Sequence, residues 1–138
     1  MQDADLAAFF EHQADPAATA LAAAQARTRE EHDAWWVRVL SNPDTVVRTV
    51  LVDGEVAGWI SSFPHDGARE IGGWSGPAMW GRGAGTEALR QFLAIDGERP
   101  IRAGTAPTNT AAARVLEKCG FVRIGRDDAD GFDLYELA

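Results

Sequence analysis

The chain has 138 residues, with 13 Lys and Arg against 21 Asp and Glu for a net charge of −8, and 46% of its residues are hydrophobic. This size and balance predict one globular domain over 1–138 with its own core, and the acidic excess argues against nucleic-acid or anionic-membrane binding. The single cysteine, Cys119, excludes an intrachain disulfide and a cysteine zinc cluster. His12, His32 and His65 are scattered without ligand spacing, so no metal site is expected. No apolar run reaches the roughly 18 residues of a membrane span and the N-terminus does not resemble a secretion signal, so a soluble, cytoplasmic protein is expected.

In chain order, residues 3–13 and the Ala-rich 16–26 read as helices separated by Asp15-Pro16. Thr28 and Glu31 form a capping box for a helix running to about Leu40, stopped by Ser41-Asn42-Pro43-Asp44. The β-branched run 45–52, the Asp53-Gly54 turn and the return strand 55–63 predict a hairpin. A turn over 64–68 leads to a strand over 69–75, then a glycine-rich loop and a helix from about Gly83 to Ile95. A short strand over 100–105 precedes a helix from Thr110 to Cys119, whose Ala112, Val115, Leu116 and Cys119 make a buried stripe. Strands near 121–126 and 132–137 close the chain. This order predicts a mixed α/β (α+β) fold, its central sheet mostly antiparallel and flanked by helices.

The glycine loop carries the most information. Pro77 to Ala88 (PAMWGRGAGTEA) joins a strand to an amphipathic helix. Glycines there let backbone N–H groups approach an anion at the helix N-terminus, and pyrophosphate is the natural occupant. No GxxxxGK[ST] loop is present. Gly83, Gly85 and Ala88 fit GxGxx[GA], but the acid that a dinucleotide loop places about 20 residues on is missing. A dinucleotide loop and a plain helix-capping turn remain as the other readings.

EIGGWSGPAMWGRGAGTEAL and PTNTAAARVLEKCGF together resemble the two diagnostic segments of the GNAT superfamily of N-acetyltransferases. The branch that they resemble most is that of the ribosomal-protein N-terminal acetyltransferases. The likeness is dense from Glu70 to Phe121 and looser through 45–63 and 121–137. It implies the acyl-CoA N-acyltransferase fold, with acetyl-CoA as cosubstrate in a V-shaped gap between two splayed central strands. By this resemblance the backbone of Arg82, Gly83, Ala84, Gly85 and Thr86 would hold the pyrophosphate, with Trp80 and Gly81 shaping the loop. The strand ending at Ser75 would pair with the pantetheine arm, and Asn109 would meet the same arm; Asn109 also reads as a helix N-cap.

The implied reaction is direct transfer of an acetyl group to a primary amine, on a small molecule or a protein N-terminus. The attacking amine must lose a proton. Glu70 is the candidate catalytic base, its other reading being a solvated strand-edge glutamate, and His65 is a second candidate. Two hydroxyls common in the family are absent, since Leu116 stands where many relatives have Tyr and Ala112 where this branch has Ser. Thr110 and Tyr135 are the substitutes considered for protonating the thiolate. The absent hydroxyls motivate an alternative, a non-catalytic acyl-CoA-binding or regulatory domain of the same fold. Cys119 reads as a buried structural thiol, and Arg114 and Lys118 as solvated charge or as contacts to a distal phosphate. One of Trp35 and Trp36 is expected to face the acceptor cleft. The resemblance implies a strand before the first helix, whereas this sequence opens at QDADLAAFF; either the start has been trimmed or the sheet lacks its edge strand, and an open edge would invite homodimer pairing.

Overall fold

A computed structural model of the chain describes residues 4–14, 26–65, 67–75, 83–127 and 131–138. The elements are α1 (Asp5–Ala14), α2 (Arg29–Ser41), β1 (Val46–Val52), β2 (Glu55–His65), β3 (Ala68–Ser75), α3 (Ala84–Ile95), β4 (Ile101–Thr105), α4 (Thr110–Lys118), β5 (Val122–Arg126) and β6 (Asp133–Leu137). The six strands form one sheet in the order β1-β2-β3-β4-β6-β5. All neighbours are antiparallel except β3 and β4. This is the expected mixed architecture; the helix expected over 16–26 falls almost wholly outside the described residues. β1 is one edge of the sheet, and it is there that the expected pairing between chains would form.

Local chemistry explains the main turns. Asp53 (φ 53°) and Gly54 (φ 82°) both lie in the left-handed region that a two-residue hairpin turn demands. The second hairpin is tighter than the expected 64–68 turn. Pro64 pairs with Arg69 and His65 with Ala68, leaving two residues between the strands. Pro64 is tolerated because it lies at the strand's end, where few ladder bonds depend on its missing N–H. This extension brings His65 onto the face that also carries Glu70.

Strand alternation divides the core between the two faces of the sheet. On one face Leu89 of α3, Leu116 of α4, Ile101, Ala103, Phe121 and Tyr135 pack together. On the other, Phe9 of α1 and Trp36 of α2 close over Val47, with Trp35, Val56 and Trp59 packed against them. Each large apolar side chain buried in this way contributes about 1.5–3 kcal/mol. The capping box of α2 forms as expected: Thr28 Oγ1 accepts from Glu31 N–H, and the Glu31 carboxylate accepts from Thr28 N–H. Gln13, nearly buried, bonds both the N–H and the C=O of Arg27 and so ties the end of α1 to the start of α2.

A buried ionic clamp fixes α3 against the sheet. Arg69 of β3 donates to the carbonyl (2.9 Å) and the hydroxyl (2.8 Å) of Ser62 and to the Asp44 carbonyl (2.8 Å). Its Nε lies 3.6 Å from Asp96, the C-cap of α3, and the Ser62 hydroxyl donates to the same carboxylate. Burial alone would raise the Asp96 pKa. The bonds from Ser62 and from the Glu98 backbone, with the guanidiniums of Arg69 and Arg99, outweigh it and hold the carboxyl below its usual value.

Candidate active site

The sheet opens at its centre. β3 and β4 pair through Arg69↔Ile101, Glu70↔Arg102 and Ile71↔Ala103, and their pairing ends there. β3 continues to Ser75 paired only with β2, and β4 to Thr105 paired only with β6. Parallel neighbours that stop pairing leave backbone N–H and C=O groups facing a gap, which an extended ligand with amides of its own can satisfy. Gly72 and Gly73 lie on the β3 side of this opening. A Cβ at Gly73 would come within 3.1 Å of the Trp59 carbonyl oxygen, so the glycine keeps β2 and β3 in register there.

The next described element after β3 is α3. Trp80, Gly81 and Arg82 lie outside the described residues. Gly83 is the N-cap of α3 with φ 69°, a left-handed conformation suited to glycine, and no side chain caps the helix. The N–H groups of Ala84, Gly85 and Thr86 therefore lack helix partners and add to the positive end of the helix dipole. The Thr86 side chain is buried, and its carbonyl accepts from the Cys119 thiol at 3.6 Å. Burial raises the pKa of that thiol. Cys119 is thus a half-buried packing group that joins the end of α4 to α3, in keeping with its expected structural role.

The two candidate bases come together. His65 Nε2 lies 3.6 Å from a Glu70 carboxylate oxygen, with the Glu70 side chain 27% exposed. Glu70 is paired with Arg102 on β4, but the Arg102 guanidinium binds Glu136 at 2.8 Å. Glu70 lies one residue before the last pair, Ile71↔Ala103, on the sheet face opposite the Leu89–Tyr135 core.

Asn109 is the N-cap of α4, and its side-chain oxygen accepts from Ala112 N–H at 3.2 Å. That satisfies its capping reading and leaves its amide N–H groups as donors. Tyr135 is buried in the core cluster with Leu116 and pairs with Ala103, the last β4 residue bonded to β3, whereas Thr110 is exposed at the start of α4. Arg114 and Lys118 are exposed.

Of the adjacent tryptophans, Trp36 is 1% exposed. Trp35 lines a cavity of about 340 Å³ between α2 and β2. Sequence reasoning did not find this cavity, nor the burial of His32; the His32-Trp36 spacing of one helical turn was the available signal for the latter. His32 is 2% exposed, and its Nε2 accepts from Trp36 Nε1 at 3.1 Å. Among the described residues, no cluster of side chains could hold a metal ion, and no helix is long and apolar enough to cross a membrane.

Comparison with known proteins gives a consistent family and fold. The acetyltransferase (GNAT) domain family matches residues 1–122. No curated protein matches the chain. Among solved structures, the aminoglycoside acetyltransferase AAC(6')-Ib in complex with coenzyme A superposes with a TM-score of 0.80 at 24% identity, covering 99% of this chain and 90% of that one. The spermidine N-acetyltransferase from Vibrio cholerae, in complex with CoA and spermine, gives 0.80 at 14% identity and covers 99% and 89%. An acetyltransferase of the GNAT family from Bacillus anthracis gives 0.77 at 20% identity, again with 99% and 89% coverage. At these identities the likeness establishes a shared fold.

Proposed function

The chain belongs to the GNAT acetyltransferase domain family, and on that premise we propose that it transfers the acetyl group of acetyl-CoA to a primary amine, with Glu70 taking the proton. The observation that carries this reading is the parting of β3 from β4 beside Glu70, with the next described element, α3, opening on an uncapped N-terminus. The CoA complexes of the two acetyltransferases named above support the same choice of cosubstrate. The finer placement, beside the ribosomal-protein N-terminal acetyltransferases, rests on the WGRGAGTEAL and RVLEKCGF runs alone.

The residues fit acetyl-CoA. The backbone of Arg82, Gly83, Ala84, Gly85 and Thr86 would hold its pyrophosphate against the α3 dipole, with Trp80 and Gly81 shaping the approach. The unpaired edge of β3 from Gly72 to Ser75 would bond the amides of the pantetheine arm, joined by the Asn109 side chain. Bound there, acetyl-CoA supplies an acetyl group already activated as a thioester.

The chain's own residues do the rest. An ammonium ion has no lone pair for attack, so Glu70 accepts a proton from the incoming amine, and His65 at its side passes that proton to solvent. Backbone N–H groups on the open edge of β3 stabilise negative charge as it develops on the acetyl oxygen while the amine nitrogen bonds the carbonyl carbon, and water supplies the proton that the departing thiolate takes as the C–S bond breaks.

The test is steady-state acetyl transfer from acetyl-CoA to a panel of primary amines, following release of CoA. Glu70→Gln is expected to lower kcat about a hundredfold at neutral pH while acetyl-CoA affinity stays near the wild-type value. An unchanged kcat removes Glu70 as the base. A folded protein that acetylates no amine contradicts the activity itself.

A further inference from the structure

The cavity between α2 and β2 lies beside the proposed reaction centre. Its walls are Trp35 and Phe63, with Ser61 in its floor. Phe63 is the cross-strand partner of Glu70, and Ser61 that of Gly72. A Cβ at Gly72 would lie 3.1 Å from Ser61 Oγ and 3.5 Å from the Phe63 ring, so the floor of the cavity abuts the part of β3 where the sheet opens. The lining runs from Phe63, the cross-strand neighbour of Glu70, to Arg38 and Asn42 at the far end, where α2 stops.

That far end is rich in donors and cationic. Arg38, one helical turn beyond Trp35, is the sole charged side chain lining the cavity among the described residues. It is exposed and makes no ion pair with another described residue. Asn42 follows at the helix end; its side-chain oxygen already accepts from Asp44 N–H at 2.9 Å, so the amide N–H groups are what it has left to offer. In a chain of net charge −8, this is a local site for an anion. A planar guanidinium beside amide donors matches a carboxylate in both shape and charge.

We propose that this cavity is an acceptor subsite in which Arg38 binds a carboxylate, so that the amine acetylated by this chain is borne by a carboxylate-containing molecule with an apolar or aromatic body. The inference rests on the acetyl-transfer reading and narrows its substrate class. The aromatic walls take the body, Arg38 holds the carboxylate, and the amine points to Glu70. A polycationic amine places like charge against Arg38 and is disfavoured.

The experiment compares 4-(2-aminoethyl)benzoate, which carries its carboxylate and its amine at opposite ends of one ring, with β-phenylethylamine (the same body without the carboxylate) and spermidine. Each is measured by kcat/KM for acetyl transfer and by isothermal titration, in the wild type and in Arg38→Met. The expected result is a preference for 4-(2-aminoethyl)benzoate over β-phenylethylamine of about tenfold or more, lost in Arg38→Met mainly through the carboxylate-bearing amine. A preference for spermidine, equal use of the two phenyl compounds, or a preference that survives Arg38→Met overturns the proposal. If no amine is turned over, the acetyl-transfer reading fails, and titration still decides the subsite. Binding of 4-(2-aminoethyl)benzoate that Arg38→Met abolishes supports it; absent binding, or binding that the substitution leaves unchanged, overturns it.

Discussion

Histidine 32 shows how a single side chain couples this fold to pH. It is enclosed by α1 and α2, with the Phe10 ring edge-on at 5.4 Å, and its Nε2 is occupied by the Trp36 indole N–H. Protonating Nε2 would remove that acceptor inside an apolar cluster. Burial accordingly lowers the His32 pKa from 6.5, with Asp33 opposing the shift only in part. The folded state therefore resists a proton that the unfolded chain accepts near pH 6.5. Stability is full above that pH and falls as pH drops through the window between 6.5 and the lower folded value, by at most about 1.4 kcal/mol per pH unit for one proton. His12 on α1 is shifted in the same direction by burial and adds to the effect. Urea midpoints measured at pH 7.5, 6.0 and 5.0 are expected to fall over this range, with a smaller fall in His32→Gln. Equal falls in the two proteins would assign the pH dependence to other groups.

Among the elements, the join between α3 and the sheet is where a mutation has the largest expected effect. Arg69 reaches β2, the turn after α2 and the C-cap of α3 with one guanidinium. Arg69→Ala leaves the Asp96 carboxylate nearly buried without that cation, a change expected to destabilise by about 3–5 kcal/mol. Chemical denaturation measures it directly, and a loss below about 1 kcal/mol would show that Asp96 is satisfied by Ser62 and the Glu98 backbone. The elements themselves were largely legible in the sequence, because capping residues, the Asp-Gly turn and 3.6-residue periodicity are local signals. The clamp was not. Arg69 sits on a strand whose pattern gives no reason to bury a charge, and its partners Asp44 and Asp96 are distant along the chain. The extension of β2 through Pro64 to His65 was likewise hidden, since a proline weighs against a strand unless its place at the end of the ladder is known.

For the molecule as a whole, the site divides into parts of different legibility. The glycine loop and Asn109 could be read from motifs at family spacing, and the folded chain places Gly83 and Asn109 at the N-caps of α3 and α4. The pairing of His65 with Glu70 depends on strand register, which the sequence left uncertain by a residue, and one residue would have turned Glu70 to the opposite face. The cavity beside them needs α2 laid across β2, a tertiary arrangement that no local pattern encodes. Acetyl transfer by this chain requires that the open seam between β3 and β4, with the α3 N-terminus beyond it, receive acetyl-CoA. Isothermal titration of the whole chain with acetyl-CoA, with NADH and ATP as controls, tests this most directly. The account predicts a one-site isotherm for acetyl-CoA and none for the controls; a folded protein that releases no heat with acetyl-CoA, or that binds NADH in its place, would contradict it.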